Sequence, residues 1–169
     1  MKTEFFLPTR IIAEPGIFRS LPDLLPVSRG RTAVCTDKGI RQTERAQELL
    51  TILEKEGFDP QVYDAVVPNP DEKASMEATE FIKSSGAQQV VALGGGSSLD
   101  TAKIACALAA NPGSLEEYQW EGRKFENEPL PLCALPTTSG TGSEVTGVSV
   151  ITSRNTKKGV LGDAMYPKL

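Results

Sequence analysis

A chain of 169 residues is long enough for one hydrophobic core and too short for two comfortable domains. Its composition, 39% hydrophobic and 24% charged, is that of a globular protein, without the biased tracts that stay disordered. A net charge of −4, with no basic cluster, argues against nucleic acid as a partner, and no apolar run approaches the length of a membrane span.

In chain order, Phe5-Phe6-Leu7 and Arg10-Ile11-Ile12 are strand candidates, ended by Glu14-Pro15-Gly16. Gly16 to Leu25 reads as a short helix interrupted by Pro22. The β-type run 32–36 follows, then a helix over 40–56 with Ala46, Leu49, Leu50 and Leu53 on one face and Gly57 at its C′ position. A strand is expected over 62–67. A helix is expected over 71–85, with Met76, Ala78, Thr79 and Ile82 near one face and Gly86 as its end. Gln89 to Leu93 is again strand, and a helix follows over 97–110 until Asn111-Pro112-Gly113 breaks the pattern. The stretch 113–131 is polar and loop-like, with Trp120 placed to pin it down. Residues 132–135 and 147–152 read as two more strands flanking a Thr/Ser/Gly loop. Three strand–helix alternations predict an α/β fold with a doubly wound, Rossmann-like parallel sheet, helices on both faces and a short β-hairpin-like extension, all in one domain over 1–169. Ligands of such sheets bind at the carboxyl ends of the strands.

Residues 93–103, Leu-Gly-Gly-Gly-Ser-Ser-Leu-Asp-Thr-Ala-Lys, are the most informative stretch. An apolar strand runs into three glycines, and a helix starts straight after them. Bare backbone can turn sharply and approach a ligand closely, and the helix N-terminus adds unpaired N–H groups and partial positive charge. The combination makes an anion cradle, most often for phosphate. Neither common fingerprint fits: G-x-G-x-x-G would place Leu99 at its last glycine, and no Lys-Ser or Lys-Thr pair follows the glycines. Ser97 is a good N-cap, with Asp100 three residues on as in a capping box, so turn and cap alone are the structural alternative. Asp37, at the end of strand 32–36, is placed to accept bonds from adenosine ribose hydroxyls and to repel a 2′-phosphate; capping the next helix is the alternative. Asn69, between two prolines, could aim its amide at a cofactor or cap helix 71–85. Thr137, Thr138 and Thr141 put three hydroxyls on a glycine-flexed loop. Gly95, Gly96 and Ser97 are the candidates for diphosphate contact. With no G-x-S-x-G elbow and no histidine, a hydrolase nucleophile at Ser139 or Ser143 has little support.

The string GGGSSLDTAK resembles the cofactor motif of the iron-containing (group III) alcohol dehydrogenases. The stretch 135–146, LPTTSGTGSEVT, resembles that family's second signature, and Pro68-Asn69-Pro70 is a weaker third match in the same order. The resemblance covers essentially the whole chain. It implies an NAD-dependent oxidoreductase interconverting a primary or secondary alcohol with its aldehyde or ketone, an NAD preference from Asp37, a position near the cofactor for Asp100, and a cofactor contact from Lys158, which otherwise reads as a surface lysine. It also implies a divalent metal, expected to be iron, bound by one aspartate and three histidines in a C-terminal helical half. This chain has no histidine and ends in a segment resembling the one before that aspartate. It is therefore expected to be the nucleotide-binding half of a longer enzyme, with no metal ligands or catalytic residues of its own and no turnover alone. Metal-free maleylacetate reductases and a short non-catalytic nucleotide-binding module are the alternatives. An incomplete cleft wall should expose apolar surface and favour a homo-oligomer. The N-terminus lacks a signal-peptide pattern. Cys35, Cys106 and Cys133, apart and without a CxxC, read as buried free thiols of a cytoplasmic protein acting on a small-molecule alcohol or carbonyl.

Overall fold

The computed structural model describes residues 3–4 and 6–169. Its elements are α1 (Leu21–Leu24), β1 (Gly30–Cys35), α2 (Lys38–Arg41), α3 (Glu44–Lys55), β2 (Phe58–Tyr63), α4 (Glu72–Ser85), β3 (Gln89–Gly94), α5 (Gly96–Ala110), α6 (Leu115–Gln119), β4 (Leu132–Pro136), β5 (Val148–Ser153) and β6 (Thr156–Leu161). Four strands form a parallel sheet in the order β2-β1-β3-β4, while β5 and β6 form a separate antiparallel hairpin.

Strand alternation sorts the core onto two faces. Ala33 and Cys35 of β1 and Val90 and Ala92 of β3 pack with Ala78 and Ile82 of α4 and with Leu99, Ala102 and Cys106 of α5. Their neighbours Val34, Val91 and Cys133 face Leu49, Leu50 and Leu53 of α3. Central parallel strands covered on both sides read as continuous apolar runs, and the sheet is doubly wound as expected. The hairpin packs Ile151 and Val160 on Ile104 and Leu108, on the side of α5 away from the sheet. Sandwiched in this way, α5 has no polar stripe, and eleven of its residues are buried.

Several local expectations shift. No strand forms at Arg10–Ile12, where Arg10 N–H donates to Lys168 C=O (3.1 Å); Phe5 of the 5–7 candidate lies outside the described residues. The strand expected at 62–67 sits earlier, at Phe58–Tyr63, because the chain turns back at once through Gly57 (φ +85°) and buries Phe58. Pro60 is tolerated there because β2 is an edge strand. Helix 40–56 breaks into α2 and α3, since Thr43 takes an extended conformation and caps Ala46 N–H (3.3 Å). The stretch 113–131 holds an unforeseen helix, α6, opened by a Ser114–Glu117 capping box. Trp120 does pin that stretch, its Nε1–H donating to Ser153 Oγ at 2.7 Å. All three cysteines are buried and free.

Candidate functional site

A cleft of about 730 Å³ opens at the carboxyl ends of β1, β3 and β4. Asp37, the 64–68 segment, Gly95 to Ser98, Thr137 and Thr138 contribute to its walls. Six sequence-predicted residues thus meet there, from three separate loops: Asp37, Gly95, Gly96, Ser97, Thr137 and Thr138.

The glycine loop does two jobs. Gly94 has φ +152°, and a Cβ on it would lie 2.4 Å from Ser98 Oγ. Gly95 and Gly96 instead permit close packing of the threonine loop: a Cβ on Gly95 would sit 3.2 Å from Thr138 Oγ1, and one on Gly96 3.1 Å from the Thr141 methyl. Thr141 therefore backs the cradle directly. Thr137 N–H donates to Gly94 C=O (2.9 Å) and ties the start of its loop to the end of β3.

Helix α5 begins at Gly96, with Gly95 as N-cap, and no side chain caps its first turn. Ser97 is thus not the cap expected from sequence, since the helix starts one residue earlier. Its Oγ accepts from Asn69 N–H at 3.3 Å. Asn69 does not cap α4 either: Asp71 does, accepting from Ala74 N–H at 2.8 Å. Asn69 instead has φ +52° and accepts on Oδ1 from the Lys157 ammonium at 2.6 Å, so a row of polar contacts runs from β6 to the start of α5. Asp37 does cap α2, Oδ1 accepting from Ile40 N–H at 2.9 Å. Its Oδ2 lies toward the glycine loop, 3.7 Å from the Cβ position of Gly94. Capping and facing the cleft are therefore combined in one side chain.

Two candidates stand elsewhere. Asp100 is buried on the hairpin side of α5, where Oδ2 accepts from Val150 N–H (3.0 Å) and Ser149 Oγ–H donates to its C=O (2.8 Å). It serves neither a cap nor the cleft wall, because β5 packs over it. Burial raises its carboxyl pKa, while the Val150 amide and the Lys103 ammonium pull it back. Lys158 lies with its ammonium 3.9 Å above the Trp120 ring and not among the cleft residues, because β-strand alternation sends Lys157, not Lys158, toward Asn69.

Sequence reasoning missed Lys103, which is 1% exposed. Its Nζ donates to the carbonyls of Ser143 (2.8 Å), Thr146 (2.7 Å) and Val148 (2.5 Å), with Asp100 Oδ1 at 3.9 Å. Burial pulls its pKa down to about 8, opposed by the Asp100 and Glu144 carboxylates. The signal was available: a lysine in a helix with no polar face has nowhere exposed to go.

Among the described residues no three His, Cys, Asp or Glu side chains gather as a metal would need, and the chain has no histidine. The donor set of the described residues does not fit a divalent metal. The cleft couples an uncapped helix N-terminus with a carboxylate at a strand end, at the crevice where doubly wound sheets bind ligands.

A family model, iron-containing alcohol dehydrogenase, matches residues 8–169. The chain belongs to this family. It is 34% identical over 160 residues to long-chain-alcohol dehydrogenase 1 of Geobacillus thermodenitrificans, covering 94% of this chain and 40% of that protein. It is 30% identical over 168 residues to the NAD-dependent methanol dehydrogenase of Bacillus methanolicus, covering 98% of this chain and 44% of the relative. Among solved structures, sulfoacetaldehyde reductase of Bifidobacterium kashiwanohense in complex with NAD+ superposes with a TM-score of 0.86 at 30% identity, covering 99% of this chain and 45% of that one. NADH-dependent butanol dehydrogenase A of Thermotoga maritima gives a TM-score of 0.88 at 28% identity, covering 99% and 43%. The iron-containing alcohol dehydrogenase fold is thus present here over less than half the length of these relatives.

Proposed function

We propose that the cleft is an NAD(H) site, and that the protein as a whole is an NAD-dependent oxidoreductase interconverting an alcohol with its aldehyde or ketone. The observation that carries this reading is the uncapped first turn of α5 opening behind Gly95 and Gly96, beside the Asp37 carboxylate. The amides of Gly96 and Ser97 carry the partial charge that holds a diphosphate, and Gly95 keeps the approach free of a Cβ. Asp37 accepts ribose hydroxyls, and Thr137 and Thr138 offer neutral hydroxyl partners, with Thr141 behind them. Asn69 sits at the rim of this proposed set. Asp100 acts behind the cradle, and Lys158 keeps its place on Trp120. A bound nicotinamide supplies the hydride acceptor; what these residues do is bind and orient it. The relatives solved or named with NAD support the assignment.

A divalent metal, where the whole protein uses one, would need ligands other than those the described residues offer. Exposed Phe6 and Ile11, at 80% and 59%, support association into a homo-oligomer, and three buried free thiols support a cytoplasmic setting. Among the described residues no helix is long and apolar enough to cross a membrane.

The test is equilibrium titration of the chain with NADH and NADPH. The 2′-phosphate meets the Asp37 charge, and two unit charges 4 Å apart repel by about 1–4 kcal/mol between water and a protein surface. NADH should therefore bind at least about fivefold tighter than NADPH, and Asp37→Ser should narrow that gap. Equal affinities, or binding of neither dinucleotide, would overturn the reading.

A further inference from the structure

Among the described residues Lys103 is the largest fully buried side chain, and it takes no part in the proposed contacts. It lies seven residues, about two helical turns, beyond Gly96, and so on the same side of α5. The threonine loop runs down that side. Thr141 lies against Gly96, and then the carbonyls of Ser143, Thr146 and Val148 converge on the Lys103 ammonium. These three acceptors use all three ammonium N–H groups. Between its ends the loop has little to hold it. Gly140 and Gly142 have φ +96° and +68°, nothing lies within 4 Å of a Cβ at Gly140, and the internal bonds are Ser143 N–H to Thr141 Oγ1 (3.3 Å) and Val145 N–H to Gly142 C=O (3.1 Å). At its start, Thr137 is tied to Gly94.

We propose that Lys103 is a positioning residue: its ammonium fixes the far end of the 137–147 loop, and so sets the wall of the cleft that stands against the glycine cradle. The effect on nucleotide affinity rests on the NAD(H) reading above; the effect on the loop does not. Three carbonyls pointing at one spot repel one another unless a cation or three donors lie between them. Asp100 and Glu144 are the charged groups facing this ammonium, and both hold it in place. An apolar side chain of the same length would leave the carbonyls without partners, and the loop would move to rehydrate them.

The experiment measures amide hydrogen exchange and NADH affinity for the wild-type chain, Lys103→Met, Lys103→Gln and Asn111→Ala. Asn111 is the control. It is equally buried at the other end of α5, where it makes four hydrogen bonds: to Ala107 C=O and Asn127 C=O, and from the amides of Glu126 and Asn127. Amides 138–147 should exchange at least tenfold faster in Lys103→Met and by an intermediate factor in Lys103→Gln, whose amide keeps two donors, while α4 stays protected. NADH affinity should fall about tenfold in Lys103→Met, and Asn111→Ala should leave both at wild-type values even if its melting temperature drops. Unchanged loop exchange in a folded Lys103 variant, or equal loosening in Asn111→Ala, would overturn the proposal, and Lys103→Gln decides if Lys103→Met fails to fold. A loosened loop with unchanged NADH affinity would refute its role in the cleft wall. A wild-type chain that binds no NADH defeats the NAD(H) reading alone, since the exchange data still judge Lys103.

Discussion

Replacing Gly94 by alanine tests what the glycines are for. The residue has φ +152°, and the added Cβ would lie 2.4 Å from Ser98 Oγ and 2.7 Å from Ser98 Cβ. The hydroxyl can rotate away; the Cβ is fixed to the backbone of α5 and cannot. Backbone strain of this kind costs about 1–3 kcal/mol, and overpacking adds a similar amount. At about 2–4 °C per kcal/mol for a domain of this size, the midpoint of thermal unfolding should fall by roughly 5–20 °C, measured by far-ultraviolet circular dichroism. Ser98→Gly in the same chain removes the obstructing atom, so the double variant should recover at least about 1 kcal/mol relative to additivity, although a helical glycine costs about that much itself. Gly96→Ala is the contrast. Its backbone is helical, and its Cβ would meet the Thr141 methyl at 3.1 Å, Thr141 Cβ at 3.2 Å and Ser143 Oγ at 3.4 Å. A gain in helix propensity set against these tight contacts with the threonine loop should leave stability within about 1 kcal/mol of wild type. A Gly94→Ala chain as stable as wild type, or a Gly96→Ala chain equally damaged, would refute the division of labour.

Leu53 is completely buried between α3 and the sheet, so Leu53→Ala should cost about 2–5 kcal/mol in urea unfolding. Leu161 is 72% exposed, and its truncation should change stability by less than about 0.5 kcal/mol. Alkaline pH should give a shallow stability maximum between about 8 and 9. Burial holds Lys103 at about 8 against an ordinary 10.5, so above pH 8 the unfolded chain keeps a proton that the folded one has lost, and this group alone raises stability by up to about 1.4 kcal/mol per pH unit. Burial also pushes Cys35 and Cys133 to about 12 and Cys106 well above the ordinary 9.0. Above pH 9 the folded chain therefore keeps three protons that the unfolded one loses, and three thiols against one ammonium lower stability by about 3 kcal/mol per unit. Urea titrations from pH 7 to 10 check this: Lys103→Met should lose the rising limb, and stability still climbing at pH 10 would contradict it.

Much of the fold was legible because its determinants are local. Ala46, Leu49, Leu50 and Leu53 recur at helical spacing and are buried together; Gly57 and Gly86 both adopt the positive φ expected where a helix ends. The misreadings have equally specific causes. Val62 to Val67 has strand composition, yet the strand forms at Phe58–Tyr63 because edge pairing with β1 tolerates Pro60. Residues 115–119 look too short and polar for a helix, and the capping box of Ser114 and Glu117 outweighs that. At the site, Asp37 and the glycines were found because they sit where a strand meets a helix. The capping-box reading of Ser97 and Asp100 failed because it assumed that α5 starts at Ser97, whereas the helix starts at Gly96.

By itself, the sequence determined the alternation of strands and helices, the glycine turn between β3 and the start of α5, and the lack of any histidine to hold a metal. These follow from spacings of two to four residues and from composition, which the chain carries whatever its partners. Tertiary structure decided which polar groups face the cleft. Lys103 meets carbonyls 40 to 45 residues away, Asp100 meets Val150 50 residues on, and Asn69 meets Lys157 88 residues on. Those partners are set by where the β5–β6 hairpin packs on α5. A buried charge must take the acceptors that packing brings to it, and no local pattern encodes which ones those are.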